Sequence, residues 1–177
     1  MNKIMPMKNR LTSNLLFLVV LLLTASVVTS CSSKRAVSKD DRSVIMVERN
    51  GDVNKKLYKT VEDWLGTPYK YGGQSKDGVD CSGLVVEIYR TVYGKKLYRS
   101  SYEIYDKSCK AIKKKDLKEG DLVFFITSKN GKRINHVGLY LNDNKFVHST
   151  TRKGVIITDL SEPFYERDFY KAGRVIF

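Results

Sequence analysis

The stretch GVDCSGLVVEIYRTVYG, residues 78–94, carries the pattern that decides the fold. Apolar residues recur in it at helical spacing, Asp80 stands at the N-cap position, and Gly94 follows the last apolar turn. The pattern predicts a helix with Cys81 in its first turn. Backbone N–H groups and the helix dipole at that end favour a thiolate, which is the nucleophilic form of cysteine. A cysteine alone in such a place is more often a small buried thiol, so other residues must decide its role.

Helical patterns lie before this stretch, and strand patterns dominate the second half of the chain. Residues 57–65 have apolar side chains at helical spacing, and Ser100 or Ser101 can cap a third helix that ends at about Ser108. This order predicts an α+β fold, with N-terminal helices packed on an antiparallel β-sheet. It does not match a βαβ nucleotide-binding pattern, and the chain has no Gly-x-Gly-x-x-Gly or Walker loop. Strand composition marks residues 122–127, 137–141, 145–149, 155–158 and 170–176.

The two histidines of the chain, His136 and His148, fall on consecutive predicted strands. If paired residue numbers in that hairpin have an even sum, as with Tyr140 opposite Asn144, both imidazoles lie on one face of the sheet. An odd register without a bulge would separate them. On one face, one histidine can act as a base towards Cys81 while the other orients it. Spacing alone leaves open the alternative of two unrelated polar strand residues.

Five motifs, in the same order from about Lys55 to the C-terminus, resemble the NlpC/p60 cell-wall cysteine peptidases. The likeness extends to the single-domain murein endopeptidase lipoproteins of that family, which share a Glu-Pro-aromatic segment near the C-terminus. The resemblance implies a papain-like NlpC/p60 fold in which the helix that carries the cysteine packs on the sheet. The five matching segments are GTPYKYGG (66–73), DCSGLV (80–85), GDLVFF (120–125), HVGLY (136–140) and FVH (146–148), and the Glu-Pro-aromatic segment is EPFY (162–165).

The resemblance also implies catalytic roles and a reaction. Cys81 matches the nucleophile, His136 the general base and His148 the residue that orients the base. No metal and no other cofactor is expected, because a zinc site needs three or four ligands, these residues supply only three, and no Cys-x-x-Cys or His-Glu-x-x-His is present. A catalytic zinc held by one cysteine and two histidines is the alternative. Cys109 has no counterpart in the family, and an inert half-buried thiol is expected there.

Three further residues are matched to the oxyanion and substrate-binding region. Tyr69 matches a tyrosine whose hydroxyl reaches the catalytic cysteine in related enzymes. Asp80 and Ser82 match positions that hold the substrate peptide in some members. Both are also good helix-capping residues, and this alternative stays open.

The N-terminus resembles a bacterial lipoprotein signal. Basic residues precede the apolar run at 15–23, which is too short to span a membrane, and small residues at 28–30 lead directly to Cys31. This predicts a signal peptide at 1–30, a lipidated Cys31, a polar tether at 31–54 and a peptidase domain at 55–177. The alternatives are an ordinary signal peptide cut near Ser30 or an uncleaved anchor. The expected location is the cell envelope, with the lipid in the outer membrane and the domain facing the periplasm.

Charge is consistent with an acidic partner. The chain has 32 basic and 19 acidic residues, a net charge of +13, and removal of residues 1–30 would leave +10. Peptidoglycan stem peptides carry free carboxylates, whereas predicted secretion and the lack of a basic motif interleaved with aromatics argue against nucleic acid. The expected activity is therefore that of a cysteine endopeptidase, which cuts D-Ala–diaminopimelate crosslinks or D-γ-Glu–diamino acid bonds. The alternatives are a catalytically idle peptidoglycan-binding lipoprotein and an amidase or acyltransferase on the same fold.

Overall fold

The computed structural model describes residues 52–176. The predicted signal peptide, Cys31 and nearly all of the predicted tether lie outside this range. Within it, the helices are α1 (Asp52–Trp64), α2 (Cys81–Tyr93), α3 (Ser101–Ser108) and α4 (Pro163–Asp168). The strands are β1 (Gln74–Ser75), β2 (Gly78–Val79), β3 (Cys109–Ile112), β4 (Leu122–Phe125), β5 (His136–Tyr140), β6 (Lys145–Thr150), β7 (Gly154–Asp159) and β8 (Phe169–Val175).

Helix α2 forms as the sequence predicts. The Asp80 carboxylate accepts a hydrogen bond from the Gly83 N–H at 2.7 Å and caps the first turn. Gly94 ends the helix with φ = 65°, a conformation that glycine adopts without strain. A glycine is required at position 83, because a Cβ there would lie 2.3 Å from the carbonyl oxygen of Gly73. The first turn of α2 therefore packs directly on the backbone of the loop before β1.

Six strands form one sheet in the order β3-β8-β4-β5-β6-β7, and all neighbours are antiparallel. Both faces of the sheet are covered. Successive side chains of β4 point to opposite faces, and each face has its own core. Leu122 and Phe124 join the core that α1 and α2 share with the sheet, whereas Val123 and Phe125 join a smaller core that includes Tyr165 of α4. The predicted α+β fold is confirmed.

The β5–β6 hairpin has the parity that brings the two histidines to one face. Tyr140 pairs with Phe146 and Leu139 with Val147, so paired residue numbers have an even sum. The illustrative partner Asn144 was two residues away from the true one. Asn144 instead lies in the connecting turn with Asp143, and both have positive φ values, of 61° and 46°.

Several elements differ from the sequence-based expectations. Helix α1 begins at Asp52, within the predicted tether, and β4 ends two residues before the predicted limit. The β1–β2 hairpin, edge strand β3 and helix α4 were not predicted. These elements are two to six residues long, too short for a periodic pattern to be distinctive. Within residues 52–176, no helix is both long and apolar enough to cross a membrane.

Candidate active site

Cys81 is the first residue of α2, and its thiol faces the beginning of β5. The backbone N–H of Val137 donates to its sulfur, and the N–H groups of Cys81 and Ser82 also point towards it. Burial nevertheless raises the pKa of the Cys81 thiol, and the neighbouring Asp80 carboxylate adds to the rise. The expectation that the helix N-terminus stabilises a resting thiolate is therefore wrong. Desolvation outweighs the hydrogen bonds from the backbone, and the thiol is protonated at neutral pH.

His136 and His148 are hydrogen-bonded to each other, with 2.9 Å between Nε2 of His136 and Nδ1 of His148. His136 is half-buried at the start of β5, and His148 is fully buried in β6. Burial lowers the pKa of His136 to about 4. Burial and then the neighbouring His136 hold the pKa of His148 well below its usual range. Both imidazoles are therefore neutral at neutral pH, which makes His136 available as a base.

A third residue continues this row. Nε2 of His148 lies 3.0 Å from Oγ1 of Thr158 in β7, and the Thr158 side chain is buried. The His148 ring is otherwise enclosed by aromatic rings, with ring centres 4.5 Å away for Phe146 and 5.0 Å away for Tyr165. Sequence reasoning did not single out Thr158, because its contact depends on the register of the β6–β7 hairpin.

Asp80 and Ser82 form a network with Arg99, which sequence reasoning also missed. Both terminal nitrogens of Arg99 donate to the Asp80 carboxylate, at 2.9 and 2.8 Å, and one also donates to the Ser82 hydroxyl at 2.9 Å. The carboxylate further accepts from the Ser82 hydroxyl and from the N–H groups of Gly72 and Gly83. Burial alone would raise the pKa of Asp80, but these hydrogen bonds hold it below its usual range.

This network makes Asp80 a capping and bracing residue, because protein donors already occupy both of its oxygens. Ser82 is buried and joined to the same network. Direct contact of either residue with substrate stays a prediction. Arg99 gave no signal in the sequence, since an arginine in a short loop has many possible partners.

Tyr69 lies beside the site, where it forms an isolated parallel bridge with Val79. Its hydroxyl makes no hydrogen bond to another described residue. Burial raises its pKa, and the charges of Cys81 and Asp80 add to the rise, which places the phenol within electrostatic range of the thiol. The structure thus brings Tyr69 towards Cys81, and its contact with an oxyanion stays a prediction.

A groove of about 440 Å³ runs along the start of α3 and the loop before β5. Arg133 lies 4.2 Å from the centre of the Tyr102 ring and forms no ion pair with another described residue. The groove therefore presents a cation beside apolar surface. Its lining residues are Ser100, Ser101, Tyr102, Glu103, Lys107, Arg133 and Ile134.

Neither a metal cluster nor a disulfide is present in the part of the chain that the structure describes. No three histidine, cysteine, aspartate or glutamate side chains among residues 55–176 are placed to bind a metal ion. Cys81 and Cys109 are both free thiols. Burial raises the pKa of Cys109 to about 12, so that thiol is unreactive at neutral pH.

Comparison with known proteins identifies the family of this chain. Residues 66–174 match the NlpC/P60 family, and this range includes Cys81, His136 and His148. The chain belongs to this family. It is 36% identical over 153 residues to the murein DD-endopeptidase MepS/murein LD-carboxypeptidase of Escherichia coli K12. That alignment covers 86% of this chain and 78% of the relative. It is 35% identical over 156 residues to the probable endopeptidase NlpC of the same organism, and that alignment covers 88% of this chain and 97% of the relative.

Solved structures of NlpC/P60 proteins share the fold. The structure of an NLP/P60 family protein from Staphylococcus aureus, described as similar to lipoprotein, superposes with a TM-score of 0.64 at 31% identity. The match covers 73% of this chain and 43% of that one, so this chain spans less than half of the larger protein. The predicted family and fold are confirmed.

Proposed function

We propose that this protein is a peptidoglycan hydrolase, a cysteine endopeptidase that cuts amide bonds in murein stem peptides or their crosslinks. Cys81 is the nucleophile, His136 the general base, and His148 the residue that orients the base. The observation that carries the proposal is the partly buried hydrogen bond between the two histidines, at the strand end where the Val137 N–H contacts the Cys81 sulfur.

The protonation states give the order of events. Cys81 begins as a thiol and His136 as a neutral imidazole, so the imidazole removes the thiol proton as the sulfur attacks the amide carbonyl. Backbone N–H groups at the start of α2 stabilise the oxyanion, with Tyr69 as a candidate further donor. The imidazolium then protonates the leaving amine, and the C–N bond breaks. Water, deprotonated by His136, hydrolyses the thioester and restores the thiol.

The relatives support a substrate in murein. The first compared relative is named a murein DD-endopeptidase and LD-carboxypeptidase, and the chain covers most of it. Cleavage of the D-Ala–diaminopimelate crosslink is therefore favoured over cleavage of a D-γ-Glu–diamino acid bond inside one stem. Arg133 in the groove, which forms no ion pair with another described residue, suits a substrate that carries free carboxylates.

Membrane attachment is a separate proposal and rests on the sequence alone. A lipid on Cys31 would hold the domain in the cell envelope, at the outer membrane facing the periplasm. The polar segment after Cys31 would let the domain reach the nearby wall, which would raise the effective concentration of substrate. The small residues at 28–30, directly before Cys31, support this proposal.

Two other functions are compatible with the fold. A catalytically idle peptidoglycan-binding protein would need no base beside the cysteine, so the histidine pair argues against it. An amidase or acyltransferase would use the same thiol on another acyl group, and product analysis separates it from a peptidase.

One digest tests the proposal. A soluble form that begins at residue 32 is incubated with purified muropeptides, and the products are identified by mass. Conversion of crosslinked dimers to monomers supports crosslink cleavage, whereas shortened monomers indicate a cut inside the stem. The Cys81→Ala variant should be inactive, and Cys109→Ala is the matched control that should retain activity. If every stem peptide stays intact, the peptidase proposal fails.

A further inference from the structure

We propose that Thr158 is a positioning residue, whose hydroxyl oxygen accepts a hydrogen bond from Nε2–H of His148 and thereby sets the tautomers of both histidines. In this arrangement Nδ1 of His136 has a free lone pair for the Cys81 proton. The inference rests on the proposed function and extends it to a residue outside the matched catalytic set.

The three side chains form an oblique row across neighbouring strands. In the β6–β7 ladder, His148 is opposite Ile156, so Thr158 lies two residues further along β7. Continuing the β5–β6 register places Gly138 opposite His148, so His136 lies two residues away on β5, in the opposite direction. Each contact is thus a diagonal one, which long side chains can span. The row leads from the sheet end beside Cys81 into the protein interior.

The direction of the hydrogen bonds along this row decides whether His136 can work as a base. Each neutral imidazole carries one N–H, and a single proton lies between Nε2 of His136 and Nδ1 of His148. If His136 donates that proton, its Nδ1 is unprotonated and can accept from Cys81. If His148 donates it, His136 keeps its proton on Nδ1 and cannot accept another. Only the first direction fits the proposed mechanism.

The first direction requires an acceptor for the proton on Nε2 of His148. Among the described residues, that nitrogen hydrogen-bonds to Oγ1 of Thr158, at 3.0 Å. His148 is 0% exposed and Thr158 is 5% exposed, so water is a poor substitute. An apolar residue at position 158 would leave a buried N–H unpaired, which is costly. In the reversed row Nε2 would be an unpaired acceptor, and protein interiors tolerate an unpaired acceptor better than an unpaired N–H donor. The His148 proton would then favour Nδ1, and the whole row would reverse.

Imidazole NMR tests this directly, because the chain has only two histidines. In protein labelled with ¹⁵N-histidine, the four ring nitrogens should show both imidazoles protonated at Nε2. Thr158→Val, which keeps the shape and removes the oxygen, should move the proton of His148 to Nδ1. Thr158→Ser, which keeps the oxygen, should retain the wild-type pattern. Thr60→Val is the matched control, because the Thr60 hydroxyl bonds the carbonyl oxygen of Lys56, within α1.

Kinetics give the second measurement. Thr158→Val should lower kcat for muropeptides by about 10- to 100-fold with little change in KM, and Thr158→Ser should restore most of it. The inference is overturned if wild-type His148 carries its proton on Nδ1, a result that does not depend on any variant folding. It is also overturned if Thr158→Val keeps both the wild-type tautomers and the wild-type kcat. An inactive wild-type protein would defeat the proposed function instead, since the NMR spectrum still decides the role of Thr158.

Discussion

Breaking the ion pair between Asp80 and Arg99 should destabilise the protein far more than breaking the more exposed pair between Glu87 and Arg90 on α2. The pair is bidentate, with distances of 2.9 and 2.8 Å. Its side chains are 9% exposed for Asp80 and 38% exposed for Arg99. An exposed pair contributes about 0–1 kcal/mol, and removing one partner of a fully buried pair costs about 3–5 kcal/mol. Allowing for solvent screening of Arg99, we expect a coupling energy of about 2 kcal/mol.

A double-mutant cycle measures this coupling. Asp80→Asn, Arg99→Gln and the double variant are compared with the wild type by urea unfolding, with the slope m checked for constancy. The control cycle uses Glu87→Gln and Arg90→Gln on α2, where the Arg90 side chain is 65% exposed and the Glu87 side chain 14% exposed. That control should show a coupling close to experimental error. A coupling between Asp80 and Arg99 no larger than the control would refute the bracing role.

Five further outcomes are expected. His136→Ala should nearly abolish muropeptide cleavage, while His148→Asn should leave more activity because an amide can orient an imidazole; equal losses in two folded variants would contradict these roles. Because the base must be neutral and burial lowers the pKa of His136 to about 4, kcat/KM should stay level down to about pH 5 and fall towards pH 4. An acid limb near the ordinary histidine pKa of about 6.5 would contradict the burial argument. In the unfolded chain the histidines do take up protons near that pH, so the free energy of unfolding should decrease as pH falls from about 6.5 to 4. Iodoacetamide should modify Cys81 faster than Cys109, because in the proposed mechanism His136 takes up the Cys81 proton as the sulfur attacks. Since burial raises the Cys81 pKa, the rate should keep increasing at pH values above the usual range of thiol pKa values; equal slow rates would indicate two inert thiols. Cells fed a labelled lipid precursor should label the protein but not its Cys31→Ala variant, and unlabelled wild-type protein of mature length would rule out the lipid anchor.

Local signals in the sequence were sufficient for the helix that carries the nucleophile. Asp80 and Gly94 cap α2 through interactions with its own ends, so no distant residue is needed to predict its limits. The sequence predicts that His136 and His148 share one face of the sheet if paired residue numbers in their hairpin have an even sum. The β5–β6 pairing has an even sum. The family resemblance supplied the link from these elements to one site.

Interactions between distant segments could not be predicted in the same way. Arg99 reaches Asp80 across 19 residues, and Thr158 reaches His148 only because of the β6–β7 pairing. Neither partner has a local pattern that marks it. The pKa of Cys81 was predicted in the wrong direction because helix-end electrostatics can be inferred from the sequence, whereas the extent of burial cannot.

The oblique row of His136, His148 and Thr158 makes loop length a determinant of activity. If either hairpin slid by two residues, every side chain would keep its face and the same apolar residues would stay buried. The displacement of about 7 Å would nevertheless separate His148 from a partner. The alternation of faces does not distinguish these two arrangements. The turns do, and the one between β5 and β6 depends on Asp143 and Asn144 with positive φ. Selection for activity therefore acts on connecting residues that have no chemical role, and conservation of the three polar side chains alone does not guarantee a working enzyme.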